Sequence, residues 1–208
     1  MIAASLVEDA TNELFEQLRG FGAQISYATK RPPLKRLDSR LFGLEDQRFI
    51  DVDDSPIQWI NVVVWVPRLA TKDWSFYIRY GIPDSRLVTK SLKVNVSLIL
   101  SRSFPHFGKI TGLQWKGNDS GLGIIQHLNS DLQIKEAILM DLGDWSPPFW
   151  VENPLWILAR PSPEAYWLIV TPYYYPGRRG FPSRELWYCY QKIAGQLLLT
   201  PIHQSGAM

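Results

Sequence analysis

Leu92-Lys93-Val94-Asn95-Val96-Ser97-Leu98-Ile99-Leu100 alternates apolar residues with mostly polar ones. Successive side chains of an extended chain point to opposite faces, so this period of two predicts a strand with one buried face. Upstream, Ile57 to Val66 is a near-continuous run of β-branched and aromatic residues, the pattern of a central strand. Pro67 to Asp73 reads as a connection and Trp74 to Tyr80 as the returning strand of a hairpin, ended by Gly81 and Pro83. Downstream, Ile110 to Trp115 is a further strand. Leu155 to Arg160 and Tyr166 to Thr171 flank Pro161-Ser162-Pro163-Glu164 as a second hairpin. Links this short require antiparallel pairing.

Helices frame these strands. From Ser5, the apolar residues Leu6, Ala10, Leu14, Phe15 and Leu18 recur at helical spacing, and Gly20 and Gly22 supply a stop. Asp119 or Ser120 is suited to cap a middle helix carrying Leu122, Ile125 and Leu128. Leu132 to Leu142 fits a continued helix and a strand equally well. Ser183 begins a last helix with Leu186, Tyr190, Ile193, Leu197 and Leu198 as its stripe, and Pro201 stops it. The grouped order predicts an α+β fold: a mainly antiparallel sheet with N-terminal, middle and C-terminal helices packed mostly on one face. Gln24 to Lys30 reads as a short strand. Residues 31–56, polar and poorly periodic after Pro32-Pro33, read as a long surface connection.

The 208 residues fit one domain, and 46% hydrophobic content is enough for a proper core, which excludes a disordered tail. A formal net charge of +2 confines any nucleic-acid site to a local patch, since duplex binding draws on a clear basic excess. Neither a signal peptide nor an apolar run of membrane-spanning length is visible, so a cytoplasmic protein is expected. The lone Cys189 excludes an intramolecular disulfide and Cys-rich zinc patterns, and it reads as a small buried hydrophobe.

No motif asks for a metal or a cofactor. His106, His127 and His203 are far apart, and none has a second ligand at metal spacing. Asp51, Asp53 and Asp54 alternate like the start of a calcium loop but lack its glycine and distal glutamate. Asp144 and Glu152 lie among indoles in a Trp/Pro-rich loop, a mixture suited to acid/base work on a sugar. The most suggestive segment holds Tyr173, Tyr174, Tyr175, Arg178, Arg179 and Phe181. Three adjacent tyrosines cannot all face one core, and tyrosine with arginine is hot-spot chemistry at protein interfaces.

The expected function is therefore a non-catalytic binding or assembly subunit that contacts a protein partner, or its own copy, through an aromatic/Arg surface. Two rivals stand beside it. One is a small-molecule or glycan-binding enzyme with Asp144 and Glu152 in a Trp-lined pocket. The other is a nucleic-acid accessory protein that uses Arg178, Arg179 and the Arg31–Arg36 segment.

Overall fold

The computed structural model describes residues 2–28, 43–67, 75–88, 92–103, 110–143, 155–160, 165–171 and 181–202. Among the described residues, eight strands form one continuous sheet: β1 (Ile25–Tyr27), β2 (Gly43–Val52), β3 (Trp59–Pro67), β4 (Ser75–Pro83), β5 (Asn95–Arg102), β6 (Ile110–Asn118), β7 (Leu155–Arg160) and β8 (Tyr166–Val170). Their spatial order is β1-β2-β3-β4-β8-β7-β5-β6, and every neighbouring pair is antiparallel. The β7–β8 hairpin comes late in the chain yet fills the centre, between β4 and β5. Tyr166-Trp167-Leu168-Ile169-Val170 is accordingly buried on both faces, which is why it carries no polar alternation.

Among the described residues, four α-helices accompany the sheet: α1 (Ile2–Gly20), α2 (Ile124–Ser130), α3 (Leu132–Gly143) and α4 (Arg184–Leu199). They share one core with one face of the sheet. Along a single register line, Ile50, Ile60, Tyr80, Ile169, Ile157 and Val96 stand side by side across six strands, all of them fully buried. Val7, Leu14 and Leu18 of α1 meet that core, as do Trp187, Tyr190, Ile193 and Leu197 of α4. The Tyr190 ring lies 4.8 Å from that of Tyr80. The α+β reading with helices on one face is correct.

Local chemistry sets the boundaries. Ser183 caps α4, its Oγ accepting from the Leu186 N–H at 3.1 Å. Asp119 satisfies the start of α2 from a distance, accepting from the Ile125 N–H at 3.2 Å and from the Gly121 N–H at 3.0 Å. The ambiguous stretch is helix α3. Asp131 accepts from the Ile134 N–H at 3.1 Å and from Lys192 Nζ at 2.9 Å, so one carboxylate both starts α3 and ties it to α4.

Two expectations are corrected. Residues 43–52, read as part of a surface connection, form β2 across Gly43↔Pro67 to Asp51↔Trp59. Its polar first half hides the period, and the apolar β3 beside it supplies the register. Gly81 does not end β4, which runs on to Pro83.

The sheet edges are blunt. β1 has three residues, and on β6 the side chain of Asn129 pairs with the backbone of Trp115 as a neighbouring strand would. The Trp115 N–H donates to Asn129 Oδ1 at 2.9 Å, and Asn129 Nδ2 donates to the Trp115 carbonyl at 3.0 Å.

Candidate functional site

The face of the sheet away from the helices is also largely apolar. Phe49, Trp59, Tyr166, Leu168 and Val170 are buried there as a second cluster, with Ala28, Tyr77, Trp156 and Leu158 packed against it. None of the described helices contributes to this cluster. The Trp59 indole meets Tyr166 edge-on at 5.5 Å and Phe49 at 6.3 Å, the geometry that ring quadrupoles favour. Trp59 lies directly across from Gly81, where the missing side chain leaves room for the indole.

A charge sits within this face. One register line runs Phe49, Asn61, Arg79, Val170, Trp156. Arg79 is 1% exposed and Asn61 is fully buried. Arg79 Nη1 donates to Asn61 Oδ1 at 3.4 Å, Nη2 donates to the Tyr77 hydroxyl, and the guanidinium carbon lies 4.6 Å above the Tyr77 ring. Asn61 Nδ2 in turn donates to the Arg48 carbonyl at 3.1 Å and faces Gln47 Oε1 at 3.4 Å. Arg79 Nε has no hydrogen-bond partner, and no carboxylate forms an ion pair with Arg79 among the described residues. The planar guanidinium thus sits among apolar side chains with one of its donors unused.

No family model, curated protein or solved structure matches this chain. The site is a sheet face of aromatic side chains around a buried, only partly satisfied guanidinium.

Elsewhere, a concavity of about 230 Å³ opens where the α1–β1 turn meets α4 and the β2–β3 connection. Phe21, Val52, Asp53, Asp54, Trp187 and Tyr188 line it. Burial and the neighbouring Asp53 charge raise the carboxyl of Asp51 above its usual 3.8. Asp54 holds a left-handed backbone at φ 52°. Among the described residues no group of three His, Cys, Asp or Glu is placed to hold a metal ion.

The residues singled out from sequence fall as follows. Tyr173, Tyr174, Tyr175, Arg178 and Arg179 lie outside the described residues, as do Asp144, Glu152, the Arg31–Arg36 segment, His106 and His203. Phe181 is described. It is 7% exposed, with its ring 5.2 Å from that of Phe76, so it belongs to the helix-side core. His127 is exposed on α2. No described helix is long and apolar enough to cross a membrane.

Cys189 is buried on α4, with its Sγ 3.9 Å from the Ile134 carbonyl. Burial, with the Asp131 charge adding to it, pushes its thiol up to about 12. That leaves on the order of one thiol in ten thousand ionised at pH 8. The native chain should therefore not react with an aromatic disulfide reagent at pH 8 over hours, while the urea-unfolded chain releases one equivalent within minutes. Stoichiometric reaction of the native chain would show that Cys189 is not held as described.

Arg79 was missed because the sequence offers only a weak signal, a single charge inside Phe76-Tyr77-Ile78-Arg79-Tyr80. Alternation assigns it to the face opposite Ile78 and Tyr80. On a sheet with one wet face that would be an ordinary surface arginine.

Proposed function

We propose that this chain is a non-catalytic binding or assembly subunit that contacts a protein partner, or a second copy of itself, through aromatic and arginine side chains. The supporting observation is the division of the sheet. The helices occupy one face, and the other gathers Phe49, Trp59, Tyr77, Tyr166 and Trp156 around Arg79. Large rigid aromatics and arginine dominate the energetic centres of protein interfaces. The segment of Tyr173, Tyr174, Tyr175, Arg178 and Arg179 has the same composition and follows β8, the central strand of that face.

The test is capture of the tagged chain from its native lysate with and without nuclease, together with sedimentation of the purified chain over a range of concentrations. A stoichiometric protein partner that survives nuclease, or reversible self-association, is expected. Arg178→Ala with Arg179→Ala should then weaken that contact by about tenfold or more, the scale of a hot-spot truncation. Unchanged affinity for every partner would remove those arginines from the interface. Recovery of nuclease-sensitive material alone would replace the protein partner with nucleic acid.

A further inference from the structure

We infer that Arg79 is the anchor of a carboxylate-binding site on the outer face of the sheet. The guanidinium is 1% exposed, its Nε–H is unpartnered, and it forms no ion pair among the described residues. Arg79 has five N–H donors; Asn61 Oδ1 takes one from Nη1 and the Tyr77 hydroxyl takes one from Nη2. The Nε–H and the remaining hydrogen on the adjacent terminal nitrogen form the planar fork that a carboxylate accepts bidentately. Asn61 and Tyr77 fix the guanidinium plane, so the fork is organised before any anion arrives.

The surroundings select the anion. Trp59, Tyr166, Phe49 and Val170, buried on this face, offer apolar surface, which suits a single negative charge on an apolar or aromatic body. A phosphate dianion would bring two charges to one guanidinium. The carboxylate belongs either to a free aromatic acid or to an acidic side chain of a protein. Because Arg79 is buried, binding requires the outer face to open, and free and bound forms should exchange slowly.

The experiment follows the arginine Nε–H resonances of the 15N-labelled full chain by NMR at constant ionic strength and pH 7, with the Arg79 signal assigned from its absence in Arg79→Lys. Phenylacetate is titrated against its neutral isostere phenylacetamide, and an acetylated Phe-Glu-Phe amide against its Phe-Gln-Phe counterpart. A new, downfield Arg79 signal that saturates with a carboxylate and not with its neutral counterpart is expected. The arm that saturates at lower concentration identifies the source. Thermal stabilisation by the same carboxylate should need at least tenfold more ligand in Arg79→Lys and vanish in Arg79→Met. If neither variant folds, the wild-type signal still decides, since chemical shift prediction for a buried donor identifies it. No movement with either carboxylate, or equal movement with the amides, overturns the site. Neither result depends on whether a protein partner is captured, so this inference and the assembly reading fail separately.

Discussion

Gly81→Ala is expected to destabilise the fold by about 3 kcal/mol, the upper end of the cost of overpacking. A methyl group at Gly81 would fall 1.9 Å from Cε2, 2.1 Å from Cζ2 and 2.3 Å from Cδ2 of Trp59. Those are ring atoms, and Phe49 and Tyr166 bracket the ring edge-on, so it cannot swing aside without breaking the outer cluster. Nor can the backbone retreat, because β4 is paired with β3 on one side and β8 on the other. The conformation of Gly81 itself is ordinary, as it is not among the positive-φ residues, so the cost comes from space alone. That distinction is measurable by urea denaturation. Trp59→Val alone should cost a few kcal/mol for lost burial. In the Trp59→Val background, Gly81→Ala should become nearly neutral, a coupling of about 3 kcal/mol between the two sites. A neutral Gly81→Ala in the native background would mean that the indole does not lie over this glycine.

Trp59 and Gly81 also show where sequence stops being legible. The strand containing Trp59 could be read from its β-branched run, but the contact across to Gly81 depends on register, which the run does not encode. Strands with a polar face, such as Val94 to Leu98, announce themselves because water marks one side. β2 did not, because Glu45, Asp46, Gln47 and Arg48 carry no alternation and the strand is defined by its partner. Leu132 to Leu142 was undecidable locally, because the choice is made by Asp131, whose carboxylate is fixed from α4 by Lys192 at 2.7 Å and Gln196 at 3.0 Å. The same holds for the site. The adjacent tyrosines and arginines of the segment that carries Phe181 predict an aromatic/Arg surface, but the burial of Phe181 against Phe76 is a tertiary fact. Arg79 was invisible as a site because its significance lies in the burial of both faces of the sheet, a property of no single segment.

Asp84→Ala is expected to cost about 2–3 kcal/mol, chiefly for a buried donor left unsatisfied, since the Arg86 side chain is 38% exposed and water screens its charge once the carboxylate is gone. Asp84 follows β4, and its side chain is 3% exposed. Its Oδ1 accepts from the Arg86 backbone N–H at 3.0 Å and from Arg86 Nε at 2.8 Å. Its Oδ2 accepts from Arg86 Nη2 at 2.6 Å and from the Trp167 indole at 2.9 Å. Arg86 continues to the far end of α4, where Nη1 donates to the Thr200 carbonyl at 2.9 Å and Nη2 to the Leu197 carbonyl at 3.2 Å. A cation on the last carbonyls of a helix complements its dipole. The carboxylate thus orients the guanidinium that joins the last helix to the sheet, and its loss leaves the fully buried Trp167 N–H without an acceptor. Burial alone would raise the carboxyl of Asp84, but the hydrogen bonds from the Arg86 side chain, the Trp167 indole and the Arg86 amide outweigh it. The group therefore titrates below its usual 3.8. A group depressed in the folded state contributes stability that is fully present above its unfolded pKa and is lost as pH falls through its folded pKa. Asp131, lowered despite burial by Lys192, the Ile134 amide and Gln196, acts in the same direction. Asp51 acts in the opposite one, since its raised carboxyl costs stability at neutral pH and that cost is relieved on acidification. Chemical denaturation from pH 7 to pH 2 should therefore show stability falling below about pH 4 as the Asp84 and Asp131 contributions are lost. Asp84→Asn should flatten that acid limb, with a larger deficit at pH 7 than at pH 2. A deficit of the same size at both ends would mean that the Asp84 charge does not hold Arg86 against α4.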